Sequence, residues 1–143
     1  MFHIFPVDGQ DDDEIVGFTA WPSQDRDYVE DDLVLFENAD INIGGHFQNS
    51  IFVCPYNGTY RFGVHILTQE STGINIKMMQ NEERFAGVTT EAIAGVSISG
   101  GNIAFTKCVV GDKIWVKVIE AGSLSGNSRA TLFTGHLLYR LDQ

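Results

Sequence analysis

Thr59-Tyr60-Arg61-Phe62-Gly63-Val64-His65-Ile66 alternates strictly, with Tyr60, Phe62, Val64 and Ile66 falling on one face. A period of two is the signature of a strand with one side on a core. The same alternation appears in Lys113-Ile114-Trp115-Val116-Lys117-Val118, where Ile114, Val116 and Val118 oppose Lys113, Trp115 and Lys117. It appears again in Gly73-Ile74-Asn75-Ile76-Lys77-Met78. These segments read as half-buried antiparallel strands. Ile103-Ala104-Phe105-Thr106-Lys107-Cys108-Val109-Val110 and Thr131–Tyr139 are denser in apolar residues, as strands covered on both faces would be.

Between these runs lie reversal signals: Pro55-Tyr56-Asn57-Gly58 and Val110-Gly111-Asp112 as short turns, Ser99-Gly100-Gly101 and residues 122–128 as longer links. The best helical candidate, around residues 84–98, is broken by Gly87 and Gly95. Strands about every ten residues, Gly-rich turns and no helix predict an all-β sandwich or barrel. The chain's 143 residues suffice for one core and show no repeat, linker or second domain.

Charge separates the leading segment from the rest. Residues 1–40 hold twelve acids and one base, a net of −11, whereas the remaining 103 hold seven acids and eight bases, a net of +1. Residues 1–14, with the run Asp11-Asp12-Asp13-Glu14, read as an acidic N-terminal segment ahead of a globular domain at 15–143. A nucleic-acid binder needs the opposite balance, so no nucleic-acid partner is expected. No apolar run is long enough to span a bilayer, so no membrane insertion is expected either. Met1–Pro6 lacks the basic start and apolar length of a signal peptide, so secretion would require a leader outside this sequence.

Phe36-x5-Asn42-x4-Phe47 followed by Phe52-x5-Gly58-x-Tyr60-x-Phe62 resembles the signature of the C1q-domain family. The resemblance continues through Val110-Gly111-Asp112-Lys113-Ile114-Trp115-Val116 and through Thr131-Leu132-Phe133-Thr134-Gly135-His136-Leu137-Leu138-Tyr139. It also includes the opening Ile15-Val16-Gly17-Phe18-Thr19-Ala20, so it spans residues 15–141. Two details depart from the pattern: four residues, not six, separate Phe47 from Phe52, and Val64 stands where an aromatic is usual. No Gly-X-Y run precedes the domain. The resemblance implies a ten-stranded antiparallel jelly-roll sandwich of the C1q/TNF-like type. Phe18, Phe36, Phe52, Tyr60, Phe62 and Phe133 are then core residues, and Gly58 and Gly135 backbone necessities.

The residues suggest no catalysis. His3, His46, His65 and His136 are dispersed, without the local spacing of a metal site, and no Gly-x-Ser-x-Gly elbow occurs. Family strand order places the strands of His65 and His136 side by side, most simply as inner-sheet residues near a subunit interface. The chain therefore reads as a binding module and not an enzyme.

Counting strand directions in such a jelly roll places residues 22–32, 69–73, 86–101 and 122–129 at the apex, and the turns at 55–58, 81–83 and 110–112 at the base. Variable loops carry ligands, so the candidate ligand-binding set is Gln69, Glu70, Glu91, Ser123, Ser125, Asn127 and Arg129. Hydroxyls, amides and carboxylates bind sugar hydroxyls directly or through calcium. No cofactor is required. Calcium is an optional ligand, with Asp25, Asp27, Asp31 and Asp32 as weak candidates, beside Glu30. The 86–101 link used by calcium-binding relatives holds only Glu91 here, with Ile98 and Ser99 where an acid would be wanted.

The resemblance implies a secreted, extracellular, non-enzymatic recognition protein of innate immunity: a lectin-like, pattern-recognising binder of glycans or microbial surfaces. The alternatives are a TNF-like or cerebellin-like ligand for a cell-surface receptor, or an acidic calcium-binding matrix protein. It also implies a homotrimer, with Leu67, Leu132 and Leu138 supplying an apolar second face. Asn57-Gly58-Thr59 is the one N-x-[ST] sequon and a glycosylation candidate, although Asn-Gly is also a tight-turn pair. In the family's sheet the strands flanking Cys54 and Cys108 are neighbours. The pair is therefore evenly balanced between a disulfide closing about 55 residues and two separate buried thiols.

Overall fold

The computed structural model describes residues 15–126 and 129–141. In chain order come β1 (Gly17–Trp21), β2 (Arg26–Tyr28), β3 (Asn38–Ile43), β4 (Phe47–Gln48), β5 (Ile51–Val53) and β6 (Gly58–Leu67). They are followed by β7 (Ile74–Gln80), β8 (Glu83–Thr90), β9 (Ser99–Cys108), β10 (Lys113–Glu120), β11 (Gly122–Leu124) and β12 (Leu132–Arg140). Among the described residues there is no helix. Two five-stranded sheets, ordered β3-β1-β12-β6-β9 and β4-β5-β10-β7-β8, pack face to face, and β2 pairs with β11 as a separate ribbon. Every strand pair is antiparallel. The two sheets account for the ten expected strands, and the ribbon adds two.

The ribbon corrects the reading of residues 122–128 as a plain link. Gly122, Ser123 and Leu124 look like loop chemistry, but Leu124 is 2 % exposed and anchors the segment in the core while its backbone pairs with Arg26–Tyr28. The 86–101 link is also shorter than expected: β8 runs to Thr90 and β9 resumes at Ser99. Gly87, Gly100 and Gly101 are strand residues, placed where neighbouring side chains cross, as the His65 ring does against Gly101, whereas Gly95 sits in the turn between the strands with a φ of 74°. The shortened span between Phe47 and Phe52 is a hairpin whose tip residues, Asn49 and Ser50, both have positive φ (54° and 66°), the backbone of a tight two-residue turn.

Aromatic rings fill the space between the sheets. Phe18 stacks on Phe47 at 4.4 Å and meets Phe133 edge-on at 5.1 Å, while Phe52 reaches Phe62 at 5.6 Å. Phe18, Phe36, Phe52, Tyr60, Phe62 and Phe133 are all buried, as their alternation predicts. The Tyr60 hydroxyl is satisfied by donating to the Tyr56 carbonyl at 2.7 Å. Gly58 and Gly135 owe their identity to space and not to φ. A β-carbon on Gly58 would stand 2.6 Å from the Tyr139 carbonyl oxygen, and neither residue has a positive φ.

One expectation fails on β9. Its outward residues Ile103 and Phe105 are not covered in a single chain, being 55 % and 64 % exposed. Only the inward half of the apolar segment packs against this chain's own core.

Candidate functional site

The apical loops are bound into one surface by short contacts. Ser123 Oγ donates to Asp27 Oδ1 at 2.6 Å across the β2–β11 ribbon, and the Gly126 amide donates to Asp25 Oδ1 at 2.8 Å. The Gln69 amide donates to the Ser123 carbonyl at 3.0 Å, and the Ser125 amide to Leu67 at 2.8 Å. The 91–98 loop is tied in through Ser71: the Ser71 amide donates to Val96, and its hydroxyl accepts from the Gly95 amide at 2.7 Å. Glu70 and Glu91 are exposed on this end, as are Ile93 and Val96. Arg129 lies 3.7 Å over the Trp21 ring and pairs with Asp40 at 3.0 Å, so its guanidinium is already held by β1 and β3. The structure thus gathers Gln69, Ser123 and Ser125, with Glu70 beside Gln69 in sequence. Asn127 lies outside the described residues.

The aspartates proposed for calcium do not converge. Asp25 and Asp27 turn to the ribbon, whereas Asp31 pairs with Lys117 at 3.4 Å and Asp32 accepts the Val29 amide at 2.8 Å. The separation follows from the chain path: after β2 the backbone swings onto β10, the Asp31 amide donating to Val118. Among the described residues no three His, Cys, Asp or Glu side chains form a metal-holding group.

The histidines stand in adjacent strands but not together. Register puts His65 opposite Leu132 and His136 opposite Arg61. Burial, helped by the Arg61 charge, holds the His136 imidazole below its ordinary value. The His65 ring instead contacts the Ala130 carbonyl at 2.6 Å.

The base is held by Asp112, which accepts from the Val109 amide, Gln80 and Asn81. Partial burial opposes these hydrogen bonds, yet together they hold its carboxyl below the ordinary range. Cys54 and Cys108 meet here as free, buried thiols and not as a disulfide. Cys54 is hydrogen-bonded to Cys108, and this contact, together with burial, pushes its thiol well above the ordinary value. Asn57 Oδ1 accepts the Val110 amide at 2.9 Å, so the sequon side chain also braces the β9–β10 turn.

The face of the first sheet that points away from the core is apolar and open. Ile41, Ile43, Ile103 and Phe105 are 45–64 % exposed on it, and Leu67, Leu132 and Leu138 are partly exposed. Between β6 and β9 this face carries a depression of about 660 Å³ where Gly63 and Gly101 lack side chains. Sequence reasoning found Leu67, Leu132 and Leu138 but missed Ile41 and Ile43, because Asn38–Ile43 is too polar to read as a strand.

Two antiparallel five-stranded sheets around one aromatic core define a jelly roll of the C1q/TNF-like class. The C1q domain matches residues 17–138. The chain belongs to the C1q-domain family. Among solved structures it is similar to the globular domain of zebrafish complement 1qA, with a TM-score of 0.73 and 17 % identity over 88 % of this chain and 99 % of that one. The Eiger TNF of S. frugiperda gives 0.69 and 11 % over 91 % and 96 % of the two chains. Murine APRIL gives 0.68 and 16 % over 87 % and 99 %. At these identities the likeness is one of fold. No helix of the described residues is long and apolar enough to cross a membrane.

Proposed function

We propose that this chain is a secreted, non-enzymatic recognition protein of innate immunity, a lectin-like binder of glycans on microbial or self surfaces that acts as a homotrimer. The observation that carries the reading is the pairing of an open apolar sheet face with a polar apex. Four large apolar residues 45–64 % exposed on one sheet exceed what a monomer ordinarily leaves to water, and closed cyclic packing of identical chains covers such a face. Three copies then present three apical surfaces in one direction, so individually weak sugar contacts add by avidity. Gln69, Glu70, Ser123 and Ser125 supply the amide, carboxylate and hydroxyl groups that sugar hydroxyls pair with. Glycosylation at Asn57 would lie at the base, away from that surface.

A glycan array run with and without calcium tests this. Saturable binding that is weakened by Gln69→Ala with Ser123→Ala supports the reading, and a calcium dependence would assign the ion to the ligand contact. Saturable binding to a cell-surface protein without any glycan signal would move the chain to the receptor-ligand alternative.

A further inference from the structure

The base of the first sheet carries a row of apolar residues that turn chemistry does not explain. Val110 stands at the tip of the turn that the Asp112 amide closes on the Val109 carbonyl at 3.0 Å, with Gly111 at a φ of 94°. Turn tips ordinarily take Gly, Asn, Asp or Ser. Here Val109 and Val110 are 58 % and 62 % exposed. Leu141 joins them through Asn57, whose Oδ1 accepts the Val110 amide at 2.9 Å and whose carbonyl accepts the Leu141 amide at 2.8 Å. Ile15, also exposed, stands beside β12, since the carbonyl of the next residue, Val16, accepts the Leu137 amide at 3.1 Å. The strands meet the base in the order β1, β12, β6, β9. The row therefore crosses the bottom of the sheet, about 14 Å from Ile15 to Val109 at about 4.8 Å per strand.

What ends at this row is the chain's own leading segment. Residues 1–14 lie outside the described residues and join Ile15. Their first part, Phe2-His3-Ile4-Phe5-Pro6-Val7, is apolar at every position but His3, and residues 8–14 are polar with five acids. Those seven residues reach up to about 23 Å at about 3.3 Å each, enough to carry residues 2–7 across a row about 14 Å long. Pro6 lacks an amide hydrogen, which disfavours a further ladder and leaves side-chain contact as the means of attachment. Charge at this end does not oppose the crossing. Lys107, Lys113, Arg84 and Arg140 stand here against Glu82, Glu83 and Asp112, so an acidic link meets no excess of like charge among the described residues.

We propose that residues 2–7 dock on the base of their own chain's first sheet, with Phe2, Ile4 and Phe5 covering Val109, Val110 and Leu141. The contact is separate from the apical loops and does not depend on what they bind. Asn57 lies within the row, so a glycan on Asn57 and the docked segment compete for one place.

Hydrogen exchange of the full chain with Asn57 unmodified, read by mass spectrometry, tests this. The amides of residues 2–7 are expected to exchange about tenfold or more slowly than in a free peptide of residues 1–14. Val109→Ser with Val110→Ser, at exposed turn positions, is expected to return them to the peptide rate. Phe2→Ser with Phe5→Ser, outside the core, is expected to do the same for Ile4 and Val7. Light scattering on these variants is expected to give the mass of the unaltered chain, because the row is covered from within. Exchange at the peptide rate in the unaltered chain would overturn the proposal, as would protection that the valine variant retains. A mass that falls with Val109→Ser and Val110→Ser while residues 2–7 exchange freely would also overturn it, since a neighbouring copy would then cover the row.

Discussion

A β-carbon added to Gly135 would stand 2.5 Å from Cδ1 of Phe62, closer than packed side chains approach. Gly135 faces inward from β12, opposite Phe62 on β6. The glycine therefore lets two strands share one layer of aromatic rings, with Phe18 closing the other side at 2.6 Å. Both rings belong to the rigid aromatic core and cannot swing aside cheaply. Gly135→Ala is expected to destabilise the fold by about 1–3 kcal/mol, the usual cost of overpacking, and to lower the thermal midpoint by several degrees. An unchanged midpoint in a calorimetric scan would show that the rings yield.

The thiols of Cys54 and Cys108 make a second expectation. Both are free and buried, 0 % and 2 % exposed, and Cys54 is held protonated by its neighbour and by burial. Thiol reagents attack thiolates. The native chain should accordingly resist them at neutral pH, while two thiols per chain react once denaturant is added. No reactive thiol in the denatured chain would mean that the pair is bridged.

Acidification should act through His136. Its folded value lies below the ordinary 6.5, because burial and then the facing Arg61 disfavour the imidazolium, while Gly17 on the opposite side offers no charge. As the pH falls through the ordinary value the unfolded chain takes the proton first. Stability therefore drops across that window until the folded imidazole is protonated as well. His136 lies on the sheet face assigned to self-association, so protonation also opposes assembly. Light scattering from about pH 7.5 to about pH 5.5 is expected to show dissociation, blunted by His136→Gln. A mass that does not change with pH would contradict this.

Arg129 is expected to act as a positioning residue. Its guanidinium is engaged by the Trp21 ring and Asp40, so Arg129→Ala removes a cation–π contact worth about 0.5–1 kcal/mol and uncovers the ring. Tryptophan emission should shift to the red, and apical binding should change less than with Ser123→Ala. A larger loss from Arg129→Ala would make the guanidinium a ligand contact.

The parts of this molecule that were legible beforehand are those where one face is buried. Tyr60 to Ile66 and Ile114 to Val118 alternate because the core demands it, and the motif order from Phe36 to Tyr139 carries the fold. Elements held by backbone pairing on a polar rim gave no periodic signal. Asn38–Ile43 and Gly122–Leu124 are strands because β1 and β2 need partners, a need no local composition records. The aspartates at 25, 27, 31 and 32 are close in sequence, but the ribbon and β10 pull them apart. Exposure of Ile103 and Phe105 was likewise unreadable, because an apolar residue in a strand reads the same whether or not its own chain covers it.

The most direct measurement is the mass of the full chain in solution, because the account requires the open face of the first sheet to be covered by further copies. Light scattering at micromolar concentration and neutral pH is predicted to give about 47 kDa, three chains of 15.8 kDa each. Phe105→Arg, which places a charge on the β9 side of that face at its most exposed ring, is predicted to bring the mass down to that of a single chain with the fold intact. A wild-type mass of about 16 kDa under the same conditions would contradict the account.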